Sequence, residues 1–178
     1  MGARNTLTNA AGGTLNLSST DGTPINYYTG TATFNNAGTL NHTVAGTHAI
    51  HSNVAFNNTG TVNVSVGTLS INGSGTDTGT YSASGGAACN FGGGTRTLSA
   101  GSTVTVSGTG AVQVTGGTTY VNGTVTGTGN FNVAGGTLTG TGVISSNMTL
   151  SSGSVAGTGT LTTHLLQWWQ DLGQPCAR

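Results

Sequence analysis

The sequence predicts an all-β protein, a parallel β-helix of about seven coils, and two observations carry this prediction. The first is composition: among 178 residues there are 33 Gly, charged residues amount to 3% and hydrophobic residues to 34%. The second is a short phrase of apolar, amide and apolar residues that returns at intervals typical of solenoid repeats. Together they indicate many short strands joined by tight corners.

The composition also excludes several classes of protein. Helical bundles need strong helix formers, and the chain has no Lys and no Glu. Nucleic-acid binding needs a basic face, which three Arg residues do not form. A membrane span needs a run of about 20 apolar residues, and the sequence contains no such run. Disorder is disfavoured because Val, Ile and Thr are plentiful and the formal net charge is zero.

The repeat is clearest where residues 34–41 and 56–63 carry nearly the same phrase, Phe-Asn-Asn-x-Gly-Thr followed by an apolar residue and Asn. The apolar-amide-apolar unit predicts one stacked column with these members: Leu15-Asn16-Leu17, Leu40-Asn41-His42, Val62-Asn63-Val64, Cys89-Asn90-Phe91, Val112-Gln113-Val114, Phe131-Asn132-Val133 and Met148-Thr149-Leu150. We expect the central residues to lie one above another, with Thr149 ending the line.

A second column follows each unit after a Gly-containing corner. Its predicted members are Gly67-Thr68-Leu69, Gly117-Thr118-Thr119, Gly136-Thr137-Leu138 and Gly153-Ser154-Val155. Thr/Val runs such as 103–106, 124–125 and 143–144 lie between the columns, so each coil consists of two or three short strands. Strand side chains alternate between two faces, and stacked coils about 4.8 Å apart therefore build a continuous apolar core. Gly and Asn supply the corners.

An antiparallel sandwich or barrel is the alternative fold. Such folds show Asn-Gly hairpin signals at regular intervals, and here Asn72-Gly73 and Asn122-Gly123 lack that rhythm. The predicted organisation is a repeat domain over residues 1–163 and an atypical tail over 164–178. The tail holds both Trp residues and either forms a short helix that caps the core or marks a truncation or junction in a longer array.

The phrases at 34–41 and 56–63, together with the run 87–95, resemble the passenger and stalk regions of bacterial surface adhesins of the autotransporter and filamentous-haemagglutinin-like group. The resemblance covers roughly residues 6–162. It implies a right-handed, single-stranded parallel β-helix that is exported to a bacterial cell surface, where it acts as a stalk or adhesive surface. A signal peptide and an outer-membrane barrel, which complete members of the group carry, are not apparent in the sequence.

Enzymatic activity is the first alternative to adhesion, since some β-helices cleave polysaccharides. That chemistry needs paired carboxylates, and the candidates are Asp21, Asp77 and Asp171, which are far apart in the sequence. No nucleophile-elbow motif frames a Ser/His/Asp triad. The sequence therefore predicts no catalytic residue.

Metal binding is suggested by two features, neither of which completes a site. His42, His48 and His51 lie within ten residues, but 48 and 51 face opposite sides of a strand and no Cys or carboxylate is near. The stretch 73–77 echoes a calcium-binding β-roll phrase, but it occurs once and is predicted to be a loop in a long coil. Cys89 is predicted to be a small buried hydrophobic residue rather than half of a disulfide. No metal and no cofactor are expected.

Ice binding is the second alternative, because ranks of Thr-x-Thr on a solenoid can order water. The Thr137/Thr139 pair is predicted to align with Thr118/Tyr120 on one side and with Ser154/Ala156 on the other, which interrupts the rank. The sequence thus predicts a non-enzymatic structural or adhesive repeat region on the outside of a bacterial cell. Its expected partners are a host or environmental surface or glycan and neighbouring repeats of a longer chain, with neither nucleic acid nor membrane insertion in this segment.

Overall fold

The computed structural model describes residues 4–157 and 160–163, and this part of the chain is an all-β parallel solenoid of about seven coils. All strand pairs between its coils are parallel. The predicted fold is confirmed, and the antiparallel alternative is wrong. The predicted tail, with its capping helix, lies outside the described residues.

Each coil places its strands on three faces of the solenoid. The first face contains β1 (Arg4–Asn9), β3 (Thr31–Asn36), β6 (Val54–Asn58), β9 (Gly75–Asp77), β12 (Thr95–Leu98), β15 (Thr118–Val121), β18 (Thr137–Thr139) and β21 (Ser154–Val155). The second face contains β2 (Thr14–Leu17), β4 (Thr39–His42), β7 (Thr61–Val64), β10 (Thr80–Ala83), β13 (Thr103–Val106), β16 (Thr124–Gly127), β19 (Val143–Ile144) and β22 (Thr162–Thr163). The third face contains β5 (Thr47–Ile50), β8 (Thr68–Ile71), β11 (Ala88–Phe91), β14 (Ala111–Val114), β17 (Asn130–Val133) and β20 (Asn147–Leu150).

The second face is one uninterrupted sheet of eight strands, whereas the first face is divided between β6 and β9. Backbone hydrogen bonds still cross that division: the Phe56 amide donates to the Ser74 carbonyl at 2.9 Å, and the Thr78 amide donates to the Asn58 carbonyl at 3.0 Å. On the third face the first coil contributes only a single bridge, between Ile25 and Ile50.

The core is a column of apolar side chains enclosed by the three faces. Inward residues alternate with outward ones along each strand, as in Val62-Asn63-Val64, where both Val residues are buried and Asn63 is half-exposed. Phe34 and Phe56 stack in successive coils with ring centroids 5.0 Å apart. This alternation is the period-2 pattern on which the sequence prediction depended, so the predicted inward and outward assignment is confirmed in these strands.

The predicted single column of amide residues is in fact two columns on different faces. The predicted alignment is confirmed within each column, but the predicted contact between Asn63 and Asn90 is wrong. Asn16, Asn41 and Asn63 pair in register on the second face. The next partner of Asn63 is Ser82, not Asn90. Asn90 instead begins a stack on the third face, where it is followed by Gln113, Asn132 and Thr149. The interval from 63 to 90 is one coil plus one corner, so the phrase changes face at that point.

The Gly-Thr column divides in the same way. Thr118, Thr137 and Ser154 stack on the first face as predicted, but Thr68 lies on the third face. The corner glycines Gly94, Gly117 and Gly136 precede the first-face strands with φ of 61°, 63° and 65°. A side chain on Gly117 would overlap the carbonyl of Gly94 in the coil below. These corners therefore need Gly both for positive φ and for the close approach of successive backbones.

Candidate binding surface

The outward side chains of the second face form two regular ranks that run along the solenoid. The first rank, here called the threonine rank, holds Thr in six successive coils and continues past Val143 to Thr162: Thr14, Thr39, Thr61, Thr80, Thr103, Thr124. The second rank, two residues further along each strand, holds the short polar residues Asn16, Asn41, Asn63, Ser82, Thr105 and Thr126. Strand geometry separates rank members by about 4.8 Å and the two ranks by roughly 6.6 Å.

Hydrogen bonds between coils fix several of these side chains. The Asn41 amide donates to Asn16 Oδ1 at 3.0 Å, and the Asn63 amide donates to Asn41 Oδ1 at 3.1 Å. In the neighbouring rank, Thr80 Oγ1 donates to Thr61 Oγ1 at 3.1 Å. Because Thr is β-branched, its χ1 is already restricted. The second face therefore presents an ordered array of donors and acceptors.

The other two faces are less regular. On the first face Thr118 pairs with Thr137, but Thr139 pairs with Tyr120 and not with another Thr, as the sequence predicted. Tyr120 is 41% exposed and projects from this face. On the third face the outward positions change from Ser70 to Asn90 to Gln113. The interruption that argued against an ice-binding rank is thus confirmed for the first face, but it does not apply to the second.

Formal charges are almost absent from the surface of the described residues. Arg4 and Asp21, both in the first coil, are exposed. The other two charged residues, Asp77 and Arg96, are 0% and 1% exposed. Asp77 was predicted to lie in a loop, and that prediction is wrong: Gly75–Asp77 is strand β9, and its Asp77 side chain points into the core.

The ion pair between Asp77 and Arg96 is the main polar feature of the core, and the sequence interpretation missed it. Arg96 Nη1 donates to Asp77 Oδ2 at 2.5 Å and to the Tyr81 hydroxyl at 3.3 Å, and Nη2 donates to the Gly73 carbonyl at 3.0 Å. The guanidinium carbon lies 5.4 Å from the centroid of the Phe91 ring. In register, Arg96 lies over Gly75, which has no side chain, so the space above Gly75 accommodates the guanidinium.

Asp77 also terminates a ladder of amides at the corner between the first and second faces, of which Asn36 and Asn58 are buried and Asn9 is half-buried. Asn9 donates to Asn36 Oδ1 at 2.7 Å, and Asn36 donates to Asn58 Oδ1 at 2.8 Å. Each of the three amides also donates to the carbonyl of a second-face Thr in the coil that follows. In the next coil Asp77 Oδ1 accepts the Asn58 backbone amide at 2.8 Å. A carboxylate has therefore replaced an amide at the fourth step, and Arg96 neutralises it.

Burial and the neighbouring charges act in opposite directions on the pKa values of this pair. Burial raises the pKa of Asp77, and the charge and hydrogen bond of Arg96 oppose that rise only in part. Burial alone would lower the pKa of Arg96, but Tyr81 and Asp77 beside it reverse the direction, so its pKa is raised and the guanidinium stays charged. Burial likewise raises the pKa of Tyr81 well above its usual value. The cluster is closed to solvent and offers no carboxylate to a substrate.

His42 and His48 form a second buried polar contact. His42 Nε2 and His48 Nδ1 are 2.7 Å apart, and His42 Nδ1 is 2.9 Å from the Val66 carbonyl oxygen. Since a carbonyl only accepts, His42 carries its proton on Nδ1. The Nδ1–H of His48 therefore donates to His42 Nε2. His51 stacks on Tyr27 outside the core, with ring centroids 5.6 Å apart. No group of three potential metal ligands occurs among residues 4–157 and 160–163.

The His42–His48 contact predicts that acid destabilises the fold. Burial first, and then His48, lower the pKa of His42 despite the hydrogen bond to Val66. The unfolded chain therefore binds a proton more readily, so stability is lost as the pH falls from about 6.5 through the folded-state pKa. We expect the free energy of unfolding, measured by denaturant titration, to fall with a slope of at most about 1.4 kcal/mol per pH unit.

The matched control is His42→Val combined with His48→Leu, which copies the residues stacked above them, Val64 and Leu69. This double variant should lose the additional acid sensitivity between pH 7 and 5. Equal pH slopes for the double variant and the parent chain would contradict the prediction.

Cys89 is fully buried with a free thiol, as predicted, and burial raises its pKa to about 12. It therefore packs as a small apolar residue. Within the described ranges, no helix is long and apolar enough to cross a membrane.

The fold and its surface together define a repeat protein of the parallel β-solenoid class, with an apolar core and an outer surface on which most side chains are short and polar. Comparison of the chain with protein-family models, with curated proteins and with solved structures finds no match in any of the three.

Proposed function

We propose that the chain is a non-enzymatic structural and adhesive segment of an exported bacterial surface protein, a stalk or adhesin. The observation that carries the proposal is the surface: most outward side chains of the three faces are short, polar and uncharged, and the exposed charges of the described residues, Arg4 and Asp21, both lie in the first coil. Such a surface makes contacts through hydrogen bonds, repeated coil after coil. The phrases at 34–41 and 56–63, which resemble those of bacterial adhesins, support the same proposal.

The position of Asp77 supports a non-enzymatic role. A glycosidase mechanism needs two carboxyl groups that both reach the substrate. Asp77 is buried against Arg96, while Asp21 is exposed in the first coil and its Oδ1 accepts the backbone amide of Thr23 at 2.8 Å. The two carboxylates therefore do not form an acid–base pair at the surface.

The test is adhesion of beads coated with the purified chain to a surface coated with neutral glycan. Because the contacts are uncharged, we expect adhesion to change little as salt rises from about 0.1 to 1 M, over which the Debye length falls from about 10 to 3 Å. Beads coated with albumin serve as the control. Adhesion no better than that of albumin, or release of reducing ends from a polysaccharide that is lost in Asp21→Asn, would overturn the proposal.

A further inference from the structure

We infer that the second face is an ice-binding surface, on which the threonine rank and the adjacent rank of short polar residues dock to the water lattice of ice. The inference goes beyond the adhesive role proposed above, because it assigns a specific solid partner to one face of the solenoid. It depends on the register of the sheet: Thr occupies the same outward position in six successive coils, from Thr14 to Thr124.

The chemistry of the two ranks suits a lattice of water molecules. Each water in ice both donates and accepts hydrogen bonds, and so do the Thr hydroxyl and the Asn amide. The ranks repeat in two directions, by about 4.8 Å between coils and roughly 6.6 Å along each strand, so their donors and acceptors form a regular two-dimensional grid. A random polar surface matches such a lattice at single points, whereas this face can match it at every coil.

The ranks are also held in place before any contact is made. The backbone of each strand from β4 to β19 is fixed by parallel pairing on both sides, and Asn16, Asn41 and Asn63 are linked by side-chain hydrogen bonds. The Thr side chains are restricted at χ1. Binding therefore orders few additional side chains, which lowers the entropic cost of docking.

Charge complementarity favours ice over other extended surfaces. The outward residues of strands β2 to β22 on the second face include no ionisable side chain. An anionic membrane or acidic glycan would find no counter-charge there, whereas ice carries none and needs none. A crystalline neutral polysaccharide would favour aromatic side chains against its sugar rings; the two ranks contain none, and Tyr120 projects from the first face instead.

One coil supplies both the test variant and its control. Thr103 and Thr97 are outward, half-buried residues on successive strands, Thr103 in the threonine rank and Thr97 on the first face beside Tyr120. Both can be changed to Tyr without touching the core, and Tyr is compatible with a strand. Thr103→Tyr places a large ring in the middle of the rank, whereas Thr97→Tyr adds the same ring to a face that already carries one.

The experiment grows ice slowly from a dilute solution of the purified chain and measures the fraction of protein incorporated into the ice, with thermal hysteresis as a second readout. The parent chain and Thr97→Tyr should partition into ice and show hysteresis, and Thr103→Tyr should lose both while keeping its unfolding midpoint. Exclusion of the parent chain from ice to the same extent as albumin would overturn the inference. It would also be overturned by equal loss in the two variants, or by a Thr103-dependent binding to cellulose or chitin particles without binding to ice.

These outcomes separate the inference from the adhesive proposal. Failure in ice combined with salt-insensitive adhesion to neutral glycan would remove only the ice-binding assignment. Binding to ice combined with failure to adhere to any glycan surface would remove only the adhesive proposal.

Discussion

Replacing Arg96 by Met is expected to cost about 3–5 kcal/mol of unfolding free energy, because it leaves Asp77 buried without its counter-ion. Asp77 is 0% exposed, and Arg96 is its ion-pair partner at 2.5 Å. Denaturant titration followed by circular dichroism would measure the loss. Since burial already raises the pKa of Asp77, removal of Arg96 should raise it further. The variant should therefore regain stability as the pH is lowered and the carboxyl group becomes protonated.

The control for this prediction is Arg96→Met combined with Asp77→Asn. An amide at position 77 continues the ladder of Asn9, Asn36 and Asn58, and it can still accept the Asn58 backbone amide. With no charge left in the core, the double variant should recover most of the loss. A double variant as unstable as Arg96→Met would show that the packing of the guanidinium, and not the charge of Asp77, governs stability here.

Introducing a carboxylate at Val133 is the second change with a large expected effect. Val133 is fully buried on β17 between Val114 and Leu150. Val133→Asp would bury a charge with no partner, so we expect a loss of about 4 kcal/mol or more. Solenoid coils are stabilised chiefly by their neighbours. Hydrogen exchange should therefore rise first in the coils around β17 and last near β2.

Asn132→Asp is the matched control, since the adjacent side chain points outward and is half-exposed. Its cost should remain within about 0.5 kcal/mol, as for most surface substitutions. Similar unfolding midpoints for Val133→Asp and Asn132→Asp would contradict the inward and outward assignment of β17.

The sequence was sufficient to predict the class of fold, because alternation and recurrence are properties of local residue order. It was not sufficient to predict which face each phrase occupies. Leu40-Asn41-His42 and Cys89-Asn90-Phe91 have the same pattern but lie on the second and third faces. Nothing in a four-residue strand distinguishes the faces, since all three enclose the same core. The long interval between Asn63 and Asn90 is the available signal, but the sequence alone predicts a loop there.

The polar features of the molecule were harder to predict, for a related reason. Asp77 and Arg96 are 19 residues apart, and their contact depends on the register between β9 and β12. Gly75, which pairs with Arg96 one coil earlier, indicates room for a long side chain. That indication is available only once the register is known. The threonine rank was not predicted for the same reason: the Thr/Val runs at 103–106 and 124–125 are visible in the sequence, but their alignment with Thr61 and Thr80 requires the correct face.

The change of face by the amide phrase has a genetic consequence. Seven residues, which include one corner, separate Ser82 from Asn90. The apolar-amide-apolar pattern then continues on the next face with its apolar residues inward. A duplication or deletion within the gene therefore need not span a whole coil to leave a chain that can fold. We therefore expect the length of such a chain to be adjustable in steps of a single strand and corner, which are smaller than a whole coil.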